Sequence, residues 1–325
     1  MTGAKKQNLW VLLTVLTSLS ACGIVGDKGL AEFGVGRNWG KEHAIATGSV
    51  FQVTAWRSGV LWQGLQVSAT TPAVQKQANG AFKAVAAGAA QFQASDAAGV
   101  AVDTVEYRVA DPAAVSLGVV WNTVWDVPTE LPTHFALVLN NRYVGAVIVR
   151  EANAARMNHV GITQATFPGA QVKVLDDYVE ATPTTLGTTT ATVNALGLDG
   201  KVLATHAYQV DVVEASAVAH LTLASFALQT SATVPADPDK GPDAPATGTA
   251  PTAPKTQLFA LTTVTTLADG TPVYGARAKW TESGTGHLVV KESDGGNYAL
   301  LKSGESVTVH ATVGTLDAEI TLQVP

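Results

Sequence analysis

Gly296-Asn297-Tyr298-Ala299-Leu300-Leu301-Lys302-Ser303-Gly304, with the twenty-one residues that follow it, decides the fold. Beyond the second glycine, Val307, Val309 and Ala311 share one parity. Ala318, Ile320, Leu322 and Val324 form a second such run, with Glu319, Thr321 and Gln323 facing away. A period of two with one polar face is the pattern of a half-buried antiparallel strand. The glycines suit the turns between strands, where the backbone angles resist a side chain. The same frame (Gly, any, aromatic, any, small or apolar, aliphatic, any, small, Gly) occurs at Gly80-Ala81-Phe82-Lys83-Ala84-Val85-Ala86-Ala87-Gly88, and alternation follows it again. The chain therefore contains an internal repeat of β type.

Upstream of the second copy, Ala276, Ala278 and Trp280 form an apolar face opposite Arg277 and Lys279, as a central strand with a core Trp does in a two-sheet sandwich. Trp62 lies further from its repeat glycine than Trp280 does, which implies a longer loop or a different core residue in the first copy. On these residues the chain resembles the group 2 bacterial immunoglobulin-like domains, and the resemblance implies an all-β chain of tandem immunoglobulin-like β-sandwiches. The expected units are 33–112, 113–215 and 216–325. The middle one lacks the glycine-spaced motif. It shows two hairpin candidates instead, Phe135 to Leu139 with Tyr143 to Val149 around Asn140-Asn141-Arg142, and Ala191 to Ala195 with Val202 to Val210 around Asp199-Gly200. Both parities of the first are apolar, as in a strand buried on both faces at an interdomain contact. The segment 234–256 holds six of the fourteen prolines. It is either a linker or an insertion in the last unit, and Val218 to Ala224 and Gln257 to Thr265, read as that unit's first two strands, favour the insertion.

The start of the chain is an address. Lys5 and Lys6 precede the apolar run Leu9 to Leu16, which is short of the ~20 apolar residues that span a bilayer. Leu19-Ser20-Ala21-Cys22 follows and resembles the lipobox of bacterial lipoproteins. The resemblance implies acylation of the Cys22 thiol, removal of residues 1–21 and a lipidated tether over 22–32. Cys22 is the only cysteine, so no internal disulfide exists. One acyl chain holds a protein only marginally, at ~0.8 kcal/mol per buried CH₂, so the several chains of a lipoprotein make the anchor lasting. Loss of Lys5 and Lys6 takes the formal charge from −6 to −8, which excludes the basic footprint that nucleic acid or anionic lipid requires.

Chemistry is sparse. The sequence has no nucleophile elbow, zinc helix or phosphate loop, and no cofactor is expected. Gly34-Val35-Gly36-Arg37-Asn38-Trp39-Gly40 has its third glycine one place late for a dinucleotide fingerprint and sits near the mature start. His134, His159 and the pair Asp176-Asp177 are the residues on which an enzymatic reading rests, while strand histidines and turn aspartates usually serve structure. His206 shares parity with Tyr208 and Val210, as a core or rim histidine does. Asp237, Asp239 and Asp243 are spaced only loosely for calcium. Trp56 has the parity opposite to Phe51, Val53 and Ala55 and points outward, a candidate contact for a sugar ring or a partner. Trp39 lies near the mature start, and Trp121 and Trp125 suit the joint between the first two units.

These observations lead to a non-catalytic, lipid-anchored protein of the bacterial cell envelope, at the outer membrane where the cell has one. Its sandwiches would serve adhesion, protein binding or spacing. Its expected partners are the membrane, through the lipid, and an envelope or extracellular protein or polysaccharide. A carbohydrate-binding or calcium-dependent module is the alternative, and an enzyme built on the middle segment is the third reading.

Overall fold

A computed structural model describes residues 24–25, 32–36, 40–57, 60–119, 129–175, 178–228, 256–290 and 297–324. Strands with one buried parity dominate it. In the first unit, Glu32–Val35 pairs with Val53–Arg57. Val50–Phe51 runs into that strand, pairs with Phe82–Ala84, and so brings in Val74–Lys76. The facing sheet runs Gln66–Ala69, Gly88–Ser95, Ala101–Ala110, then Ala44–Ala46, the last in parallel. Buried Phe51, Phe82, Phe92 and Tyr107 fill the space between the sheets through mostly edge-on ring contacts.

The second unit repeats this order strand for strand. Ala114–Val119, Tyr143–Arg150, Tyr178–Pro183 and Ala170–Leu175 form one sheet. Thr163–Thr166, Gly187–Leu196, Val202–Val213 and a parallel His134–Val138 form the other. The third unit has His220–Leu228, Thr256–Thr266, Asn297–Lys302 and His287–Val290 in one sheet, and Lys279–Gly284, Ser306–Val313 and Leu316–Gln323 in the other. Among its described residues no parallel strand lies on Leu316–Gln323. This arrangement of antiparallel strands in two packed sheets is that of an immunoglobulin-type sandwich. Residues 229–255 fall between two strands paired over nine residues, from His220 against Thr266 to Leu228 against Leu258.

Three local expectations change. Phe135 to Leu139 and Tyr143 to Val149 do not pair with each other. His134–Val138 pairs with Val202–Val213 in one sheet, while Tyr143–Arg150 lies in the other. The intervening Asn140, with φ 58°, takes the chain across the sandwich. The Asp199-Gly200 hairpin forms as expected, with ten residue pairs. Secondly, the two repeat copies differ in face. Within the strands Phe82 and Ala84 are buried in the first, but Ala299 and Leu301 in the second. Gly88 opens the next strand directly while Gly304 stands in a turn, and a slip of one residue exchanges the two faces of a strand. Thirdly, the strand bearing Trp280 begins at Lys279, so Ala276 and Ala278 precede it. Trp280 is half-buried against the third core, and the two alanines pack into a separate cluster between units.

Candidate functional site

The successive units are joined by added strands, and the joint is built the same way twice. In the second unit, the strand Tyr143–Arg150 is followed by the turn Glu151-Ala152-Asn153-Ala154-Ala155. The chain then bridges back through Arg156 to Arg150 and continues as Met157–Asn158. In the third unit, Thr256–Thr266 is followed by Leu267-Ala268-Asp269-Gly270-Thr271, and Pro272–Tyr274 returns with Pro272 against Thr266. Each returning strand then adds in parallel to the parallel strand of the unit before it. Met157 and Asn158 lie opposite Ala44 and Ile45, and Val273 and Tyr274 lie opposite Ala136 and Leu137.

The turns match bond for bond. Glu151 N–H donates to the Ala155 carbonyl (3.0 Å), and Ala154 N–H to that of Glu151 (2.9 Å). Leu267 donates to Thr271 (2.9 Å), and Gly270 to Leu267 (3.0 Å). The side-chain oxygens of Asn153 and Asp269 each accept from the amide two residues on, both at 2.9 Å. The next residue is left-handed in both, Ala154 at φ 66° and Gly270 at φ 88°. An Asx turn followed by a left-handed residue reverses the chain in five residues, and a Cβ at that position carries strain.

Apolar packing closes both joints. Ala44 and Ala46 of the first unit belong to the core of the second, beside Met157 and Ile162, while Ile45 points the other way into the first core. In the second joint Ala136, Val138, Val218, Val273 and Val313 form one cluster. On the other face of the same strand, Phe135 holds the rings of Tyr208 and Tyr274 edge-on, at 5.7 and 5.6 Å, and that of Tyr143 at 6.2 Å.

Each joint also carries charge. Arg108, on the last strand of the first unit, binds both carboxylate oxygens of Glu151. That bidentate contact holds the Glu151 carboxyl below the usual carboxylate range. In the second joint His134 Nε2 lies 2.7 Å from Asp211 Oδ2, and the Thr188 hydroxyl donates to Asp211 Oδ1 at 2.6 Å. The hydroxyl first and His134 second lower the Asp211 carboxyl. Asp269, from the third unit's turn, is lowered mainly by its bonds to Thr271 and also by the charge of His134. Arg108 and Asp211 are equivalent positions, each one residue before the pairs Val109 with Ile45 and Val212 with Leu137.

The residues named from sequence do not converge. His134 is a joint residue bound to Asp211, whereas His159 is buried with Nε2 3.1 Å from the Val147 carbonyl. Asp176 and Asp177 lie outside the described residues, as do Leu19, Ser20, Ala21, Cys22, Trp39, Trp121, Trp125, Asp237, Asp239 and Asp243. Trp56 is half-buried on the parity away from Val53 and Ala55, and its indole N–H donates to Thr54 Oγ1 at 2.9 Å. His206 is half-buried against the ring of Tyr208, as a rim histidine. Among the described residues no three of His, Cys, Asp or Glu stand close enough to hold a metal ion. Sequence reading missed the joint strands, although the two turns do share Ala followed by Asn or Asp at the same distance from the preceding strand.

No protein-family model matches the chain, and no curated protein does. Among solved structures it is similar to domains 4–9 of the surface layer protein SbsC, at 15% identity and a TM-score of 0.35, over 86% of this chain and 43% of that one. It is also similar to the D00–D0 domain of intimin, at 13% identity and 0.23, over 64% and 98%. A third similarity is to an endo-fucoidan hydrolase of glycoside hydrolase family 107, at 14% and 0.23, over 93% and 45%. The chain spans less than half the length of the first of these. None of the three likenesses assigns it a substrate or partner.

Proposed function

We propose that this chain is a lipid-anchored protein of the bacterial cell envelope that acts as a spacer and presents group 2 immunoglobulin-like sandwiches without catalysing a reaction. The observation that carries the spacer role is the doubled joint. Each unit buries a strand of its neighbour in its own core or sheet, so the units hold a fixed relation where a bare linker would leave them free. The anchor rests on Lys5, Lys6, the short apolar run and the single Cys22 after Leu19-Ser20-Ala21. Its partners are the membrane, through the lipid, and an envelope or extracellular protein or polysaccharide. Trp56 is the residue offered to a sugar.

Both halves of the reading are testable in the producing cell. A culture fed a labelled fatty-acid analogue should label the parent and leave Cys22→Ala unlabelled and uncleaved, because no second thiol exists. Equal labelling of the two removes the anchor from the reading. For the spacer, fluorophores on the first and third units should report one narrow distance distribution in the parent. A broad distribution means that the joints do not hold the units in one relation.

A further inference from the structure

An open groove of about 420 Å³ lies at the first joint, between the first unit and the Asp199-Gly200 hairpin of the second. Thr47, Ala86, Ala87 and Asp111 line it from one side, Leu198 and Leu203 from the other. Close backbone contact beside Thr47 fixes the spacing of the two walls. The Gly48 N–H donates to the Ala84 carbonyl at 2.8 Å, and a Cβ at Gly48 would stand 3.5 Å from the Gly197 carbonyl. Leu203 in turn covers Gly197, where a Cβ would come within 3.1 Å of its side chain. The groove therefore exists because the two units are joined.

Its lining combines apolar surface with one unmatched charge. Val202, Leu203 and Leu198, at 49%, 46% and 44% exposure, are three of the eight large apolar side chains exposed among the described residues, and all stand on this hairpin. Single exposed apolar residues need no explanation, whereas a cluster marks a contact surface. Of the two carboxylates in the lining, Asp199 is paired with Lys201 at 2.8 Å. Asp111 is exposed, and among the described residues no cation pairs with it. The hydroxyl of buried Thr47 donates to Asp111 Oδ1 at 2.6 Å and so orients the carboxylate.

We propose that this groove docks a peptide segment of a partner protein in which a lysine stands between apolar side chains. The apolar neighbours cover Leu198, Leu203 and the two alanines, and the ammonium pairs with Asp111. Thr47 already occupies Oδ1, so one oxygen remains, which suits the point charge of an ammonium better than the paired donors of a guanidinium. The formal charge of −8 after loss of Lys5 and Lys6 draws a basic segment and opposes a second copy of the chain. Both walls are needed, so the segment docks only where the first two units are joined. The inference goes beyond the envelope reading and is independent of the lipid, because a chain from Gly23 to Pro325 keeps every described residue.

The probe is acetyl-Leu-Lys-Leu-amide, titrated into that chain with its amides labelled for magnetic resonance. The amides of Ala86, Ala87 and Leu198 should shift with a Kd of about 1 mM or below. Asp111→Asn, which keeps an acceptor for Thr47, should weaken binding about three- to fivefold, as loss of a partly exposed ion pair does. Norleucine in place of the peptide's lysine should do the same, and Leu203→Ser should weaken binding through the apolar wall. Asp317→Asn, an exposed carboxylate of the third unit, should change nothing. No shift at these amides up to about 5 mM peptide overturns the proposal. So does equal binding of the norleucine peptide, or equal weakening by Asp317→Asn. An average mass that rises from about 1 to 300 µM chain without peptide, and no longer rises in Leu203→Ser, shows that a second copy fills the groove and overturns it as well.

Discussion

Tyr274→Ala should release the third unit from the second while both remain folded. The Tyr274 ring is half-buried and stands edge-on to Phe135 at 5.6 Å and tilted against Tyr143 at 6.1 Å. Half of a tyrosine's surface, about 100 Å² at about 25 cal/mol per Å², is worth about 2.5 kcal/mol. The two ring pairs add about 0.5–1.5 kcal/mol each beyond area. Their side chains share that surface, so about 3 kcal/mol is the expected loss. The Val273 and Tyr274 backbone pairs to Ala136 and Leu137 survive the substitution, so the loss falls on the joint and not on the strand. Calorimetry should show the parent's second and third units melting together, and in the variant a separate, lower transition for the third. Amide exchange at Ala136 and Leu137 should speed up in step. If the third unit's transition and those amides stay as in the parent, the ring does not couple the two units, and the spacer reading loses its main support.

Three further outcomes follow from single residues. Tyr143→Phe should stabilise the second unit by about 1 kcal/mol in urea unfolding, because the buried Tyr143 hydroxyl has no hydrogen-bond partner among the described groups, and burial already holds its pKa well above 10; a loss of stability would mean that it has one. Glu151→Gln should flatten the acid limb of the first joint's stability. The carboxyl is lowered in the folded state, so its contribution is full above the unfolded value of about 4.5 and is lost as pH falls through the lower folded value, and the parent should lose it while the variant does not. Trp280→Ala should cost about 2 kcal/mol, less than the ~3–5 of a fully buried aromatic because Trp280 is half-buried, and exposed Lys279→Ala should stay within about 0.5; similar small effects from both would place Trp280 outside the core.

Long strands with one wet face were legible because a period of two needs several turns of the pattern. Gly88–Ser95, Ala101–Ala110, Gly187–Leu196 and Ser306–Val313 all supply them. Asp199-Gly200 was legible for a local reason, the left-handed angle that Gly200 adopts at φ 76°. Met157–Asn158 and Pro272–Tyr274 are too short to show any period, and the strands they join across units lie over a hundred residues away, so only the shared turn residues ahead of them give a local sign. His134–Val138 was visible as a strand apolar on both faces, but its neighbour in sequence was not its neighbour in the sheet. The parallel pairing follows from the sandwich closing on itself, which no residue near Asn140 records. The histidines were candidates only while their surroundings were unknown, and His134 proves to be a joint residue and His159 a buried one.

The two joints share a backbone plan but differ in the charges at their equivalent positions. The equivalent positions carry Arg108 in the first unit and Asp211 in the second. Glu151, from the second unit's turn, matches the arginine. Placed on the second unit's acceptor, the same turn would set Glu151 against Asp211, two carboxylates where one is already held by Thr188 and His134. The third unit's turn begins with Leu267 in the place of Glu151, so on the first unit's acceptor it would leave Arg108 without its bidentate partner. A wrong pairing thus loses a charge-assisted contact in one direction and gains a repulsion in the other, while the apolar strand additions tolerate either. Within one chain the short connections set which unit meets which, and the residues on the two last strands add to backbone pairing a charge match that suits each joint.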